Sequence, residues 1–151
     1  MHLPKRILVA IDFSESADAA LDYAVALAKE LHANVIVMHA YELPIYGFPS
    51  GALIASAEMA SRIMTGAQEG LAAACEARAK SGVEISQVVR QGVAWEEVHS
   101  VADEMNADLI VIGTHGRQGL SRALLGSVAE KIIRTSTRPV LTIHQPAKKS
   151  G

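Results

Sequence analysis

The sequence predicts an α/β fold, a three-layer open sheet of parallel strands with helices on both faces, and three observations lead there. Continuous runs of branched apolar residues recur along the chain, the pattern of strands buried on both faces. Segments with apolar residues at helical spacing separate those runs, and strands alternating with helices of this length imply parallel pairing through right-handed crossovers. The chain has 151 residues, 50% of them hydrophobic and 20% charged, which suits one packed core and a single domain over residues 1–151.

The first strand is Ile7-Leu8-Val9-Ala10-Ile11, stopped by the turn formers Asp12 and Ser14. Ala17, Ala20, Leu21, Ala24, Ala28 and Leu31 then mark one face of a helix running to Asn34, with Glu15 near its start, where an acid favours the helix dipole. Val35 to Ala40 repeats the strand pattern, and the stretch after it, Leu43 to Pro49, holds too much proline and glycine for a regular element. A long Ala-rich helix is expected from Ala52 to Lys80, with Gly66 and Gly70 as points where it could break and Ser81-Gly82 as its end. Val83 to Arg90 alternates apolar with polar, which places the third strand near a sheet edge. Trp95, Val98, Val101, Ala102 and Met105 share a helical face, and Asp108 to Ile112 is the fourth strand. A helix from about Ser127 to Ser136 leads into the last strand, Pro139 to His144, with proline where a strand start tolerates it. In such sheets a ligand sits outside the carboxyl ends of the strands, where the strand order changes direction.

Formal charge is −2, and no run of Lys or Arg is large enough to track a phosphodiester backbone, so nucleic acid is not expected as a partner. Lys148-Lys149 reads as a solvated tail. A single cysteine, Cys75, can form no internal disulfide and points to a reducing compartment. The apolar run after Lys5 and Arg6 stops at Asp12, far short of a signal-peptide core or a membrane span, so the expected location is the cytoplasm without membrane insertion.

The segment from Gly113 to Ser127 begins at the carboxyl end of a buried strand and finishes at a helix start. Glycines at 113, 116, 119 and 126 let the backbone approach phosphate oxygens, and the N–H groups of the following helix add donors at the positive end of its dipole. Arg117 and Arg122 bring positive charge from the same loop. The same residues also suit a plain turn followed by a capping box between Ser127 and Glu130, and spacing alone does not choose. Two other phosphate motifs are absent: Gly126-Ser127 lacks the lysine of a P-loop, and no G-x-G-x-x-G follows the first strand.

Gly113-x2-Gly116-x9-Gly126-Ser127 resembles the ATP-binding signature of the universal stress protein family, in its ATP-binding branch. The segments Ile7 to Ser16, Val37 to Ala40, Asp108 to His115 and Arg138 to Leu141 are similar to the family's first, second, fourth and last strands, so the likeness covers nearly the whole chain. The resemblance implies a Rossmann-like, five-stranded parallel sheet in the order 3-2-1-4-5, with nucleotide over the ends of strands 1 and 4. It implies that Asp12 contacts the ribose or phosphate side of ATP, that Ala10 and Ile11 line the pocket, and that Ala40 meets adenine. Gly113, Gly116, Gly126 and Ser127 would hold the phosphates, and Val128 and Ala129 would present helix N–H groups; His115 would donate to phosphate or face solvent, and Arg117 would add charge from the loop. Asp12 could equally cap the first helix. Ala40 stands where family members often carry Val, and Ala129 lacks a hydroxyl that some relatives place there.

The function implied is that of an ATP-binding stress-response or regulatory module; a slow ATP hydrolase and a nucleotide-independent interaction protein are the alternatives. Hydrolysis needs a positioned base and cationic stabilisation of the transition state. Asp12, His115 and Arg117 are the candidates, and the sequence supplies no further group to orient them, so no catalytic residue is assigned and slow or absent turnover is expected. Six scattered histidines give no protein-built metal site, so any Mg²⁺ would ride on the phosphates. The last strand, Pro139 to His144, is expected at a sheet edge, and similar proteins form homodimers there. The loop from Leu43 to Ser50, with Tyr46 and Phe48, would cover the pocket mouth or an unknown protein partner.

Overall fold

The structure, a computed structural model, describes residues 2–44, 56–115 and 125–145. Five strands, β1 (Arg6–Ala10), β2 (Asn34–Tyr41), β3 (Ile85–Gln91), β4 (Leu109–Gly113) and β5 (Val140–Ile143), form one sheet in the order β3-β2-β1-β4-β5. Every neighbouring pair is parallel: Ile7 is in register with Val35 on one side and Leu109 on the other. Among the described residues four α-helices pack on the sheet, α1 (Glu15–Leu31), α2 (Ala57–Glu76), α3 (Ala94–Glu104) and α4 (Ser127–Thr135). No helix among the described residues is long and apolar enough to cross a membrane.

Successive side chains of a strand point to opposite faces, so the apolar runs feed two cores at once. Ile7, Val9, Val35, Val37 and Val111 meet α1 and α2 on one face, where Leu21, Ala24 and Leu71 fill the layer. Leu8, Ile36, Met38 and Ile110 meet α3 and α4 on the other, against Val98, Val101 and Ile132. A sheet covered on both sides explains why these strands read as unbroken apolar runs. β3 and β5 are the edges of the described sheet: β3 mixes half-buried with exposed residues, and β5 is half-buried throughout.

Local chemistry moves several expected boundaries. The cap of α1 is Ser14, whose Oγ accepts from the Ala17 N–H at 3.1 Å, and the helix ends at His32 in the left-handed region rather than running to Asn34. Asn34 already belongs to β2. α2 is capped by Ser56 and passes through Gly66 and Gly70 unbroken; residues 52–55 lie outside the described part of the chain. It stops at Glu76, short of Lys80, and Ala79–Ser81 forms a single 3₁₀ turn closed by Gly82 at φ 82°. Arg78, beyond that end, donates back to the Ala74 carbonyl at 2.7 Å and pairs with Asp18 and Asp22 of α1. Cys75 is buried, and burial pushes its thiol above the ordinary range.

Asp108 lies just before β4, not within it, and its carboxylate accepts the Lys5 and Arg6 backbone N–H groups, each at 2.9 Å. The Lys5 N–H holds its pKa below the usual carboxylate value, helped by the Arg6 N–H and the charges of Arg6 and His2 against a desolvation that opposes them. A folded pKa below the unfolded one gives stability that is present above the unfolded value and lost as pH falls through the folded one. Asp108→Ala should therefore lower the denaturant midpoint at neutral pH and converge on the wild-type midpoint in acid. A midpoint difference that persists unchanged in acid would refute this role.

Candidate functional site

β1 and β4 lie side by side at the centre of the sheet, but the chain leaves β1 toward α1 on one face and returns after β4 through α4 on the other. The carboxyl ends of these strands thus frame a crevice, the usual ligand position in an open parallel sheet. A cavity of about 320 Å³ occupies it. One end is apolar: Ala10, Met38 and Ala40 from the strands face Ala94 and Val98 of α3. The other end is polar and rich in backbone, formed by Asp12, Gly113, Thr114, His115 and the first turn of α4.

Asp12 is held from its own loop. Its Oδ1 accepts the Ser14 N–H at 3.0 Å and the Ser14 hydroxyl at 2.5 Å, while Ser14 itself caps α1. Asp12 therefore supports the cap and is not the cap. Between them Phe13 sits at φ 64°, a conformation bulky residues avoid. Its ring is packed against His39, centroids 4.5 Å apart, and against Gly70, where an added Cβ would lie 2.9 Å from the ring. His39 in turn meets the Ile11 carbonyl through Nδ1 at 2.7 Å. Gly70 thus serves as the seat of the Phe13 ring.

α4 begins at Gly126, which has φ −60°, ψ 151° and no side chain to cap with. The first three N–H groups of any helix lack a carbonyl within it, here those of Ser127, Val128 and Ala129. The capping box that Ser127 and Glu130 offered as an alternative is absent, because Ser127 is the first helical residue rather than the cap, and Glu130 pairs with Arg134 at 2.7 Å. The Gly126 N–H donates to the Thr114 carbonyl at 2.8 Å, tying the helix start to the end of β4. Gly113 is fixed by contact: a Cβ there would stand 2.4 Å from Ser16 Oγ and 2.8 Å from the Ser16 backbone.

Ala10, Ile11, Asp12, Ala40, Gly113, His115, Gly126, Ser127, Val128 and Ala129, ten residues picked from the sequence, all line this one cavity. Gly116 and Arg117 lie outside the described residues, as do Arg122, Tyr46 and Phe48. Sequence reading missed Ser14, Thr114, Ala94 and Val98. Ser14 and Thr114 sit beside chosen residues and carried a signal as small hydroxyls at strand ends. Ala94 and Val98 carried none, since nothing distinguishes them from the rest of an amphipathic face. Among the described residues no group of three His, Cys, Asp or Glu could hold a metal ion.

A profile described as the universal stress protein family matches residues 4–144. The universal stress protein MJ0531 of Methanocaldococcus jannaschii is 35% identical over 150 residues, covering 98% of this chain and 86% of that protein. Among solved structures, MJ0577, also from Methanocaldococcus jannaschii, superposes with a TM-score of 0.80 at 26% identity, covering 95% of this chain and 98% of its own. A universal stress protein in complex with cAMP gives a TM-score of 0.68 at 27% identity over 95% of this chain and 98% of its own. One from Archaeoglobus fulgidus in complex with dAMP gives 0.66 at 26% over 91% of this chain and 96% of its own.

Proposed function

This chain belongs to the universal stress protein family, and from that premise we propose that it is an ATP-binding regulatory module of the cytoplasm with slow or absent turnover. The observation that carries the reading is the two-ended cavity at the sheet's switch point, apolar where a base would lie and lined by uncapped helix N–H groups where phosphate would lie. The complexes of similar proteins with cAMP and dAMP support an adenine nucleotide.

Ala40, with Ala94 and Val98 opposite, contacts the base. Ala10 and Ile11 form the floor. Asp12 turns to the ribose hydroxyls, because a carboxylate beside phosphate would be repelled. Ser127, Val128 and Ala129 donate their N–H groups to phosphate, together with Gly113, Gly116, Gly126, His115 and Arg117. The extent of the glycine-spaced segment, with Arg117 and Arg122 in it, favours a triphosphate over a monophosphate. Any Mg²⁺ rides on the phosphates. Asp12 is committed to Ser14, which leaves it poorly placed to act as a base.

Calorimetry with chain stripped of carried-over nucleotide should give saturable heat with ATP, and no heat at millimolar ATP would sink the reading. Phosphate release at the rate of a dedicated ATPase, abolished by Asp12→Asn, would overturn the slow-turnover part. The outer edge of β5, which no other described strand pairs with, is the surface we assign to a homodimer, since an unpaired strand edge templates pairing with a copy of itself. Light scattering at micromolar concentration should return twice the chain mass; a monomer mass would contradict it.

A further inference from the structure

Val35, Val37 and His39 stand on one face of β2, and the first two are buried against α1 and α2. His39 ends that apolar row with an imidazole, and the partner of its ring is main chain: the Ile11 carbonyl lies 2.7 Å from His39 Nδ1. A carbonyl oxygen only accepts, so Nδ1 carries the proton. Ile11 lies just past the end of β1, and its own N–H donates to the Met38 carbonyl at 2.9 Å. β2 therefore holds residue 11 twice, by one backbone bond and one side-chain bond. The Phe13 ring packs against the imidazole and is itself seated on Gly70, which leaves the imidazole little room to swing away.

The peptide fixed in this way is the one that carries Asp12. Asp12 Oδ1 is taken by Ser14, while Oδ2 has no partner among the described residues. Asp12 lines the cavity; His39 and Phe13 are not among its walls. We propose that His39 is a positioning residue for the sugar. By holding the Ile11–Asp12 peptide it aims Asp12 Oδ2 into the cavity, where a carboxylate oxygen accepts from ribose hydroxyls and so selects a ribonucleotide over one whose sugar has none. This rests on the adenine-nucleotide reading above and deepens it: the choice of sugar depends on a side chain behind the site that the ligand does not touch.

The test compares ATP with 2′,3′-dideoxy-ATP, which keeps the base and the triphosphate but offers no ribose hydroxyl, by calorimetry on chain stripped of carried-over nucleotide. The unaltered chain should bind ATP about tenfold more tightly, as hydrogen bonds to a charged group allow. His39→Leu keeps an apolar side chain against Phe13 and removes the donor; it should weaken ATP about five- to tenfold and the dideoxy analogue by less than about twofold. His39→Asn, whose amide N–H can stand where Nδ1–H stood, should restore the preference. In an Asp12→Ala chain, which has already lost the preference, His39→Leu should leave the ratio of the two affinities where it was. An unaltered ratio in His39→Leu, whether both affinities hold or fall together, or a further change of ratio in the Asp12→Ala chain, would overturn the positioning role while leaving nucleotide binding intact. Equal binding of both nucleotides by the unaltered chain would do the same. Failure of the unaltered chain to bind either would overturn the nucleotide reading and this inference with it.

Discussion

Gly113→Val is expected to cost the protein a large part of its stability and, in whatever fraction still folds, its nucleotide site. The glycine lies where β4 ends against the first turn of α1, and a side chain there would enter Ser16: 2.4 Å from its Oγ and 2.8 Å from its backbone carbon and oxygen. The hydroxyl could rotate away, but the backbone of a capped helix cannot. α1 would have to lift from the sheet, taking with it Ser14 and the Asp12 carboxylate that Ser14 holds. Overpacking a well-filled core costs about 1–3 kcal/mol, and a clash with main chain belongs at or above the top of that range, against a typical total of about 5–15 kcal/mol. Even Gly113→Ala should lower the urea midpoint clearly. Gly66→Ala is the control: it stands in the interior of α2 with nothing within 4 Å of its added Cβ, and it should stabilise by about 0.5–1 kcal/mol. Equal midpoints for Gly113→Ala and the unaltered chain would show that α1 does not press on β4 as described.

Ser127→Pro should weaken ATP binding by about tenfold to a hundredfold while leaving thermal stability close to that of the unaltered chain. Proline at the first position of a helix is favoured, because its fixed φ suits the turn and the N–H it lacks has no carbonyl to meet. Proline also demands an extended residue before it, and Gly126 at φ −60°, ψ 151° already supplies one. The substitution therefore deletes the Ser127 N–H, together with the serine hydroxyl, from the helix start with little else disturbed; Ser127→Ala, which removes the hydroxyl alone, isolates the N–H. A hydrogen bond to a charged group contributes about 1.5–3 kcal/mol, which sets the expected range. Unchanged ATP affinity in a normally melting variant would remove the first N–H of α4 from the phosphate site.

The sheet was largely legible because burial on both faces writes itself into composition: Ile7 to Ile11 and Asp108 to Ile112 hold apolar residues at positions of both parities, and each parity fills a different core. Helix ends were less legible. Whether Asp12 or Ser14 caps α1, and whether Ser127 caps α4 or begins it, depends on which residue adopts extended φ and ψ, and neighbouring residues of similar chemistry compete for the role. The retreat of α2 from Lys80 to Glu76 follows Arg78 reaching across to α1, a contact between distant segments that no local pattern records. The polar half of the cavity could be named from glycine spacing and family likeness. The α3 wall could not, because Ala94 and Val98 are ordinary members of a helix face until the sheet order brings that face over Ala40.

The central place of β1 has a further consequence for how the molecule comes into being. β1 precedes the other described strands and pairs with β4, Ile7 beside Leu109, so its second neighbour does not exist until the intervening strands and helices have been synthesised. Long loops must close before that pairing is rewarded, which makes such a topology slow to form and leaves an apolar strand waiting with one edge bare. The Asp12 turn and the α4 start lie further apart still along the chain, so the cavity cannot form before α4 has been made. A ligand that binds there recognises the fold only after that closure, and by mass action it holds the late β1–β4 pairing shut.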